Sequence, residues 1–279
     1  MKSVLYIFLL SGLLLSSCGE YEKLLKSSDY ELKKTKAKEY YDDAQYVKAT
    51  ELLSQIIPRF RASAEAEELN WMNAMSYYGM KDYMMAGSYF KQFLEQFPFG
   101  VHAEEAYYLA SYCDYKLSPR PELDQQYTLS SIEGFKLFLN RYPDSERAAE
   151  AKTLITELEE KLVEKSYMSA RLYYDMKNYK SAITALENSL KEYANTKYRE
   201  EMMFLKLNSL FMYAERSFPA KQRERFQDTL DNYYSFMEEF PKSQFSKEVN
   251  NIFEKTTSFL KTGKSSTEAN SSGVKVGNN

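Results

Sequence analysis

Few residues in this 279-residue chain could make or break bonds, and most of them stand apart. There is one histidine, His102, so no second imidazole exists to build a metal site or to pair with a serine nucleophile. The adjacent acids Glu159-Glu160, Glu200-Glu201 and Glu238-Glu239 point apart on a helix and suit solvated faces better than acid–base work. No glycine-rich phosphate loop is written anywhere. These observations predict no enzyme, no metal and no cofactor. Of the two cysteines, Cys113 is expected to be a small apolar core residue. Cys18 is different. A positive start at Lys2 and an apolar run from Val4 to Leu15, too short to span a bilayer, lead into Leu15-Ser16-Ser17-Cys18. A thiol so placed can carry a diacylglyceryl thioether, with small residues before it to enter a peptidase.

That run resembles a bacterial lipobox. The resemblance implies a signal peptide over 1–17, acylated Cys18 as the new N-terminus, and a lipidated tether over 18–29. Each buried methylene adds about 0.8 kcal/mol of membrane affinity, so the three acyl chains typical of Gram-negative lipoproteins make a lasting anchor. With Cys18 lipidated, no intrachain disulfide is expected. Gly19 follows the cysteine, where an Asp would resemble an inner-membrane retention signal. The expected location is the outer membrane, with the body in the periplasm. The far end, 262–279, is rich in Ser, Gly, Asn and Lys and is expected to be a disordered tail.

The remaining chain must position any binding surface, and one pattern recurs in it five times. It closes on Phe60, Phe97, Tyr142, Tyr193 and Phe240. Four residues earlier stand Ile56, Phe93, Phe138, Ser189 and Phe236; seven earlier, Leu53, Phe90, Phe135, Leu186 and Tyr233; eleven earlier, the small residues Ala49, Ala86, Ser131, Ala182 and Thr229. Steps of three and four put these side chains on one helix face, which only stacked copies can bury. Tyrosine pairs at Tyr40-Tyr41, Tyr77-Tyr78 and Tyr173-Tyr174 mark a partner helix before each closing helix, across short polar turns. Breakers such as Pro98, Pro143 and Pro241 follow the closing aromatic, and Ser145 or Ser243 is expected to cap the next helix. The stretch from Glu146 to Asp175 has no Gly or Pro and predicts one long helix. Net charge is −3 with no basic stripe, which argues against nucleic acid.

The spacing resembles the tetratricopeptide repeat (TPR), through Tyr40, Ala49, Leu53 and Ile56 and again through Ala74, Tyr77, Ala86, Phe90, Phe93 and Pro98. The implied fold is all-α: a TPR-like α-α superhelix of about five helix-turn-helix repeats, with a long connecting helix and a C-terminal capping helix. Repeats one to three would occupy 30–145, and the long helix, repeats four and five and the cap 146–261. The third copy departs from the pattern: Tyr107-Tyr108 lies far from Tyr142, with an insert around Ser118-Pro119-Arg120-Pro121. In such repeats the first helices line a groove. By that rule the expected peptide-binding groove comprises Lys38, Tyr41, Trp71, Met75, Tyr78 and Tyr108, with the alternative that these rings pack between repeats.

Lipobox, repeats and length together resemble the BamD family, the lipoprotein subunits of the outer-membrane β-barrel assembly (BAM) machinery. Asp124-Gln125-Gln126-Tyr127-Thr128, leading through Phe135 and Phe138 into Arg141-Tyr142-Pro143-Asp144-Ser145, is the most specific piece. The resemblance implies binding of unfolded outer-membrane proteins by the N-terminal repeats and docking of a BamA-like barrel protein by the C-terminal ones. No family contact residue is carried over, because matching C-terminal positions differ in type. Two rivals stand beside it: another periplasmic TPR adaptor, coordinating envelope division with peptidoglycan synthesis, and a lipid-anchored glycan receptor. The latter stacks sugars on exposed tryptophans, whereas this chain has one.

Overall fold

The computed structural model describes residues 19–263. The expected signal peptide, Cys18 and nearly all of the expected tail lie outside the described residues. Among those described are twelve helices and no strand. A short helix, α1 (19–26), precedes five pairs: α2 (Tyr30–Asp42) with α3 (Tyr46–Phe60), α4 (Ala66–Gly79) with α5 (Tyr83–Gln96), α6 (Ala103–Leu117) with α7 (Gln126–Arg141), α8 (Ala148–Asp175) with α9 (Tyr179–Glu192), and α10 (Arg199–Glu215) with α11 (Pro219–Glu239). A final helix, α12 (Ser246–Thr262), covers the last pair through Val249, Ile252 and Phe259.

The recurring stripe forms the core. All five small residues are fully enclosed, and so are Leu53, Phe90, Phe135 and Leu186 a turn later. A small side chain at this position lets neighbouring helices approach while the aromatic rings fill the space around it. Between α6 and α7 the approach is close. Ser131 donates to the Ser111 carbonyl at 2.9 Å, and a Cβ added to Gly134 would collide with the Ser111 hydroxyl.

The turns inside repeats one, two and four share one geometry. Ala44, Lys81 and Lys177 adopt left-handed φ of 55°, 60° and 59°, and the amide after each reaches back to the carbonyl of Tyr40, Tyr77 or Tyr173. Asp82 and Asn178 then cap the next helix, accepting from the amides of Met85 and Ser181. Ser145 and Ser243 do not act as expected. Their hydroxyls accept from the amides of Arg147 and Phe245, two residues on and still before the helix, so they shape the turn and leave the helix start to others.

Two further expectations meet different outcomes. The long helix is present as α8, 28 residues and about 42 Å at 1.5 Å per residue. The stretch assigned to the tether is instead helical as far as residue 26. Tyr21, Leu24 and Leu25 pack on the first repeat's core, and the Tyr21 hydroxyl donates to the Lys48 carbonyl and the Glu51 carboxylate. Aromatic and leucine side chains in an amphipathic spacing account for that docking.

The chain divides into two compact units between Glu159 and Glu160, inside α8 rather than at its start. The first holds α1 to α7 and the beginning of α8. The second is built on two clusters, one around Tyr167, Ala182 and Leu186 and one around Phe211, Phe226 and Phe236. In the first unit the inserted loop before α7 is tied by Gln125, whose amide nitrogen donates to the carbonyls of Arg120 and Leu123 while its oxygen accepts from Thr128.

Candidate peptide-binding groove

In the first unit, α2 and α4 stand side by side and enclose a hollow of about 440 Å³. Leu69 and Met72, both buried, supply an apolar floor. Lys34, Lys38, Glu39, Asp42, Glu65 and Glu68 form a rim of both charges. The rim is internally paired: Lys34 bridges Glu31 at 2.7 Å and Glu65 at 3.2 Å, and Lys38 meets Asp42 at 3.3 Å. The Ser63 hydroxyl, and after it a backbone amide and Lys34, hold the Glu65 carboxyl below its ordinary range. These ion pairs are exposed and worth little in stability, so they can be exchanged for a ligand's charges at small cost.

The expected groove residues fall into two groups. Lys38 is exposed, and Tyr41, Met75 and Tyr78 are half-buried. Tyr41 meets Tyr46 edge-on at 6.0 Å, and burial raises its phenol. Tyr78 lies further along α4, edge-on to Tyr83 at 5.9 Å and tilted toward Tyr112 at 6.5 Å; burial pushes its phenol up to about 12. Trp71 and Tyr108 belong elsewhere, 9% and 2% exposed. The Trp71 indole packs on Phe90, Phe93 and His102, and the Tyr108 ring on Phe135 and Phe138 beneath the Arg147 guanidinium. Neither forms an open wall.

The reason is register. Buried residues of α4 (Ala66, Leu69, Trp71, Ala74, Ser76) recur in α6 thirty-seven positions on, as Ala103, Ala106, Tyr108, Ser111 and Cys113. Tyr108 is therefore the counterpart of Trp71, and Tyr115, not Tyr108, is the counterpart of Tyr78. The aromatic surface beside Tyr78 is built from Tyr112 and Tyr115, whose rings stack at 5.6 Å. Sequence reasoning missed both because it aligned the tyrosine pair Tyr107-Tyr108 with Tyr77-Tyr78. The burial period of α6 was the signal that separates them.

The slot that Trp71 and Tyr108 occupy makes one contact at every junction. Each slot residue meets the residue preceding the next repeat's first helix, or preceding the final helix in the last case. The pairs are Lys34 with Glu65, an ion pair; Trp71 with His102, stacked at 4.5 Å; and Tyr108 with Arg147, cation over ring at 4.4 Å. In the second unit they are Tyr167 with Tyr198 at 4.2 Å and Phe204 with Phe245 at 4.3 Å, both stacked.

Among the described residues, no group of three or more His, Cys, Asp or Glu side chains is placed to hold a metal ion, and no helix is long and apolar enough to cross a membrane. Cys113 is buried, and burial pushes its thiol up to about 12.

Comparison with curated proteins returns no match. In three dimensions the chain is similar to the TPR domain of P58(IPK), at 15% identity over 87% of this chain and 68% of that one, with a TM-score of 0.40. It is also similar to the TPR2AB domain of yeast Sti1 in its pHSP90 complex, at 12% identity over 82% and 99%, with a TM-score of 0.37. A family model described as YfiO, outer membrane lipoprotein, matches residues 29–210, from the start of the first repeat through most of α10. The chain thus belongs to the YfiO family of outer membrane lipoproteins, the family of BamD.

Proposed function

We propose that this protein is a lipid-anchored periplasmic scaffold that receives unfolded outer-membrane proteins and holds them beside a BamA-like barrel during insertion. An acyl group on Cys18 would keep the body at the membrane, and no other prosthetic group is needed. The observation that carries the substrate part is the hollow between α2 and α4, with its floor of Leu69 and Met72 and its exchangeable charged rim. An extended segment with alternating apolar and polar side chains, as barrel strands have, can lay one set on that floor and the other on the rim. Tyr41, near Glu68 of the rim, adds a ring that keeps a polar tip. The barrel contact is assigned to repeats four and five by family resemblance.

A pull-down from detergent-solubilised membranes tests the reading. Recovery of a large barrel protein with periplasmic repeats is the expected result. A TonB-linked porin would point to glycan uptake, and peptidoglycan synthases to a division adaptor; either would overturn it. For the groove itself, Lys38→Ala with Asp42→Ala, an exposed pair on the rim, should weaken binding of a barrel-strand peptide about tenfold without lowering the melting temperature. Unchanged affinity would place substrate binding elsewhere.

A further inference from the structure

Helix α1, where a slack tether was expected, is held to the first repeat at both ends. At its start the Tyr21 hydroxyl donates to the Lys48 carbonyl at 3.2 Å, and the Tyr21 ring meets Tyr40 edge-on at 5.6 Å. Near its finish the buried Lys33 ammonium donates to the Leu25 carbonyl at 3.0 Å and to Gln55 at 2.6 Å. A cation so placed offsets the partial negative charge at a helix C-terminus. Between these points Leu24 and Leu25 pack on the first repeat's core. The start of α1 therefore lies beside the α2–α3 turn, between the end of α2 at Tyr40 and the beginning of α3 at Lys48. Gly19 opens the helix, so Cys18 is the residue immediately before it. Consecutive Cα atoms are about 3.8 Å apart, and an anchor attached there gives this end of the repeat no room to stand away from a bilayer.

The same edge exposes a repeated apolar position. Val47, Met84 and Leu129 stand thirteen residues before the closing aromatics Phe60, Phe97 and Tyr142, in the first turns of α3, α5 and α7. They are 61%, 60% and 51% exposed. Each of these helices follows an antiparallel partner, so their first turns lie along one edge of the first unit, the edge at which α1 begins. Met85 and Leu123 add exposed apolar surface to it. In the second unit the same position holds Lys180 and Gln227, thirteen residues before Tyr193 and Phe240. Single exposed apolar residues are common. Three at one repeat position, all in the unit that α1 opens, mark a surface with an apolar partner.

We propose that this edge of the first unit lies against the lipid bilayer, with Val47, Met84 and Leu129 set among the headgroups. The placement rests on the acylation proposed for Cys18 and goes beyond it by naming the edge that faces lipid. Asp43, Lys81 and Asp82 are exposed at the neighbouring turns and carry both signs of charge. No polybasic attraction holds such an edge to lipid, so the hold falls to the acyl chains and the apolar side chains. The docked α1 turns a point anchor into a fixed orientation of the repeats above the membrane.

The test uses the mature, acylated chain in vesicles of phosphatidylethanolamine and phosphatidylglycerol, with and without doxyl-labelled lipid. Met84→Cys and, past the opposite end of α5, Val101→Cys each carry a fluorophore, while the buried Cys113 stays unlabelled. The length of α5, about 21 Å, separates the two sites. Interfacial side chains sink about 5–10 Å into the headgroup boundary, so doxyl lipid should quench the Met84 probe at least about threefold more than the Val101 probe. Val47→Glu with Leu129→Glu, both exposed positions, should reduce that quenching without lowering the melting temperature. Mass spectrometry of the same sample separates the two readings. An unmodified Cys18 overturns the anchor and this placement with it, whereas absent or equal quenching on an acylated chain overturns the placement alone. A Met84 probe shielded only as the chain dimerises, seen by light scattering, would assign the edge to a second copy and overturn it too.

Discussion

The indole of Trp71 lies flat on the imidazole of His102, 4.5 Å between centroids and 2° from parallel. On its other sides it meets Phe90 and Phe93 at 5.6 and 5.8 Å, so one side chain joins a repeat's two helices to the start of the next repeat. Stacked aromatic pairs are worth about 0.5–1.5 kcal/mol beyond the area they bury.

Trp71→Ala is therefore expected to destabilise the first unit by about 3–5 kcal/mol, and His102→Ala by about 1 kcal/mol. Urea unfolding followed by circular dichroism measures both. A Trp71→Ala protein that melts like the parent but no longer binds peptide would return this residue to the groove.

Neighbouring tyrosines should respond differently to loss of a hydroxyl. The Tyr108 hydroxyl is buried beside Glu150 and Arg147 but meets neither in full hydrogen-bond geometry, so Tyr108→Phe should cost little, under about 0.5 kcal/mol. The Tyr107 hydroxyl accepts from Arg141 at 3.1 Å, so Tyr107→Phe should cost up to about 1 kcal/mol. Thermal melting of the two variants distinguishes them, and a larger loss at Tyr108 would contradict the geometry.

Lys81 holds a left-handed backbone that costs a residue with a Cβ about 1–2 kcal/mol. Lys81→Gly removes that strain and adds freedom to the unfolded chain, for a net gain of about 0.5–1 kcal/mol. A melting temperature below the parent's would show that the lysine makes a compensating contact.

Burial holds the Cys113 thiol up to about 12, so at pH 9 only about one molecule in a thousand carries the thiolate. Alkylation of Cys113 by iodoacetamide, followed by peptide mapping, should be at least a hundredfold slower in the native chain than in urea. The sign for stability follows. The unfolded chain releases this proton first, near pH 8.5, so stability falls as pH rises from there toward the folded value. Cys113→Ala should flatten the slope between pH 8.5 and 10, and an unchanged slope would assign it to other groups.

Much of this fold was legible in the sequence because the second helix of each repeat buries one regular stripe. Ala49, Ala86, Ser131, Ala182 and Thr229 could be picked out by spacing alone, and each is fully enclosed. The first helices carried a weaker signal. They are buried on more than one side, so aromatics at adjacent positions, such as Tyr107 and Tyr108, do not reveal which one faces inward. That ambiguity placed Trp71 and Tyr108 in the groove and hid Tyr112, Tyr115, Leu69 and Met72.

The junction pairs also specify order. Lys34 meets an acid, Trp71 an imidazole, Tyr108 a guanidinium, and Tyr167 and Phe204 each another ring. Deleting the second repeat would confront Lys34 with His102, and deleting the second and third would confront it with Arg147, a like charge. Modules of this chain are keyed to their successors, so shuffling or duplicating them sets mismatched groups against each other at the seam, and the array resists the recombination that uniform repeats invite.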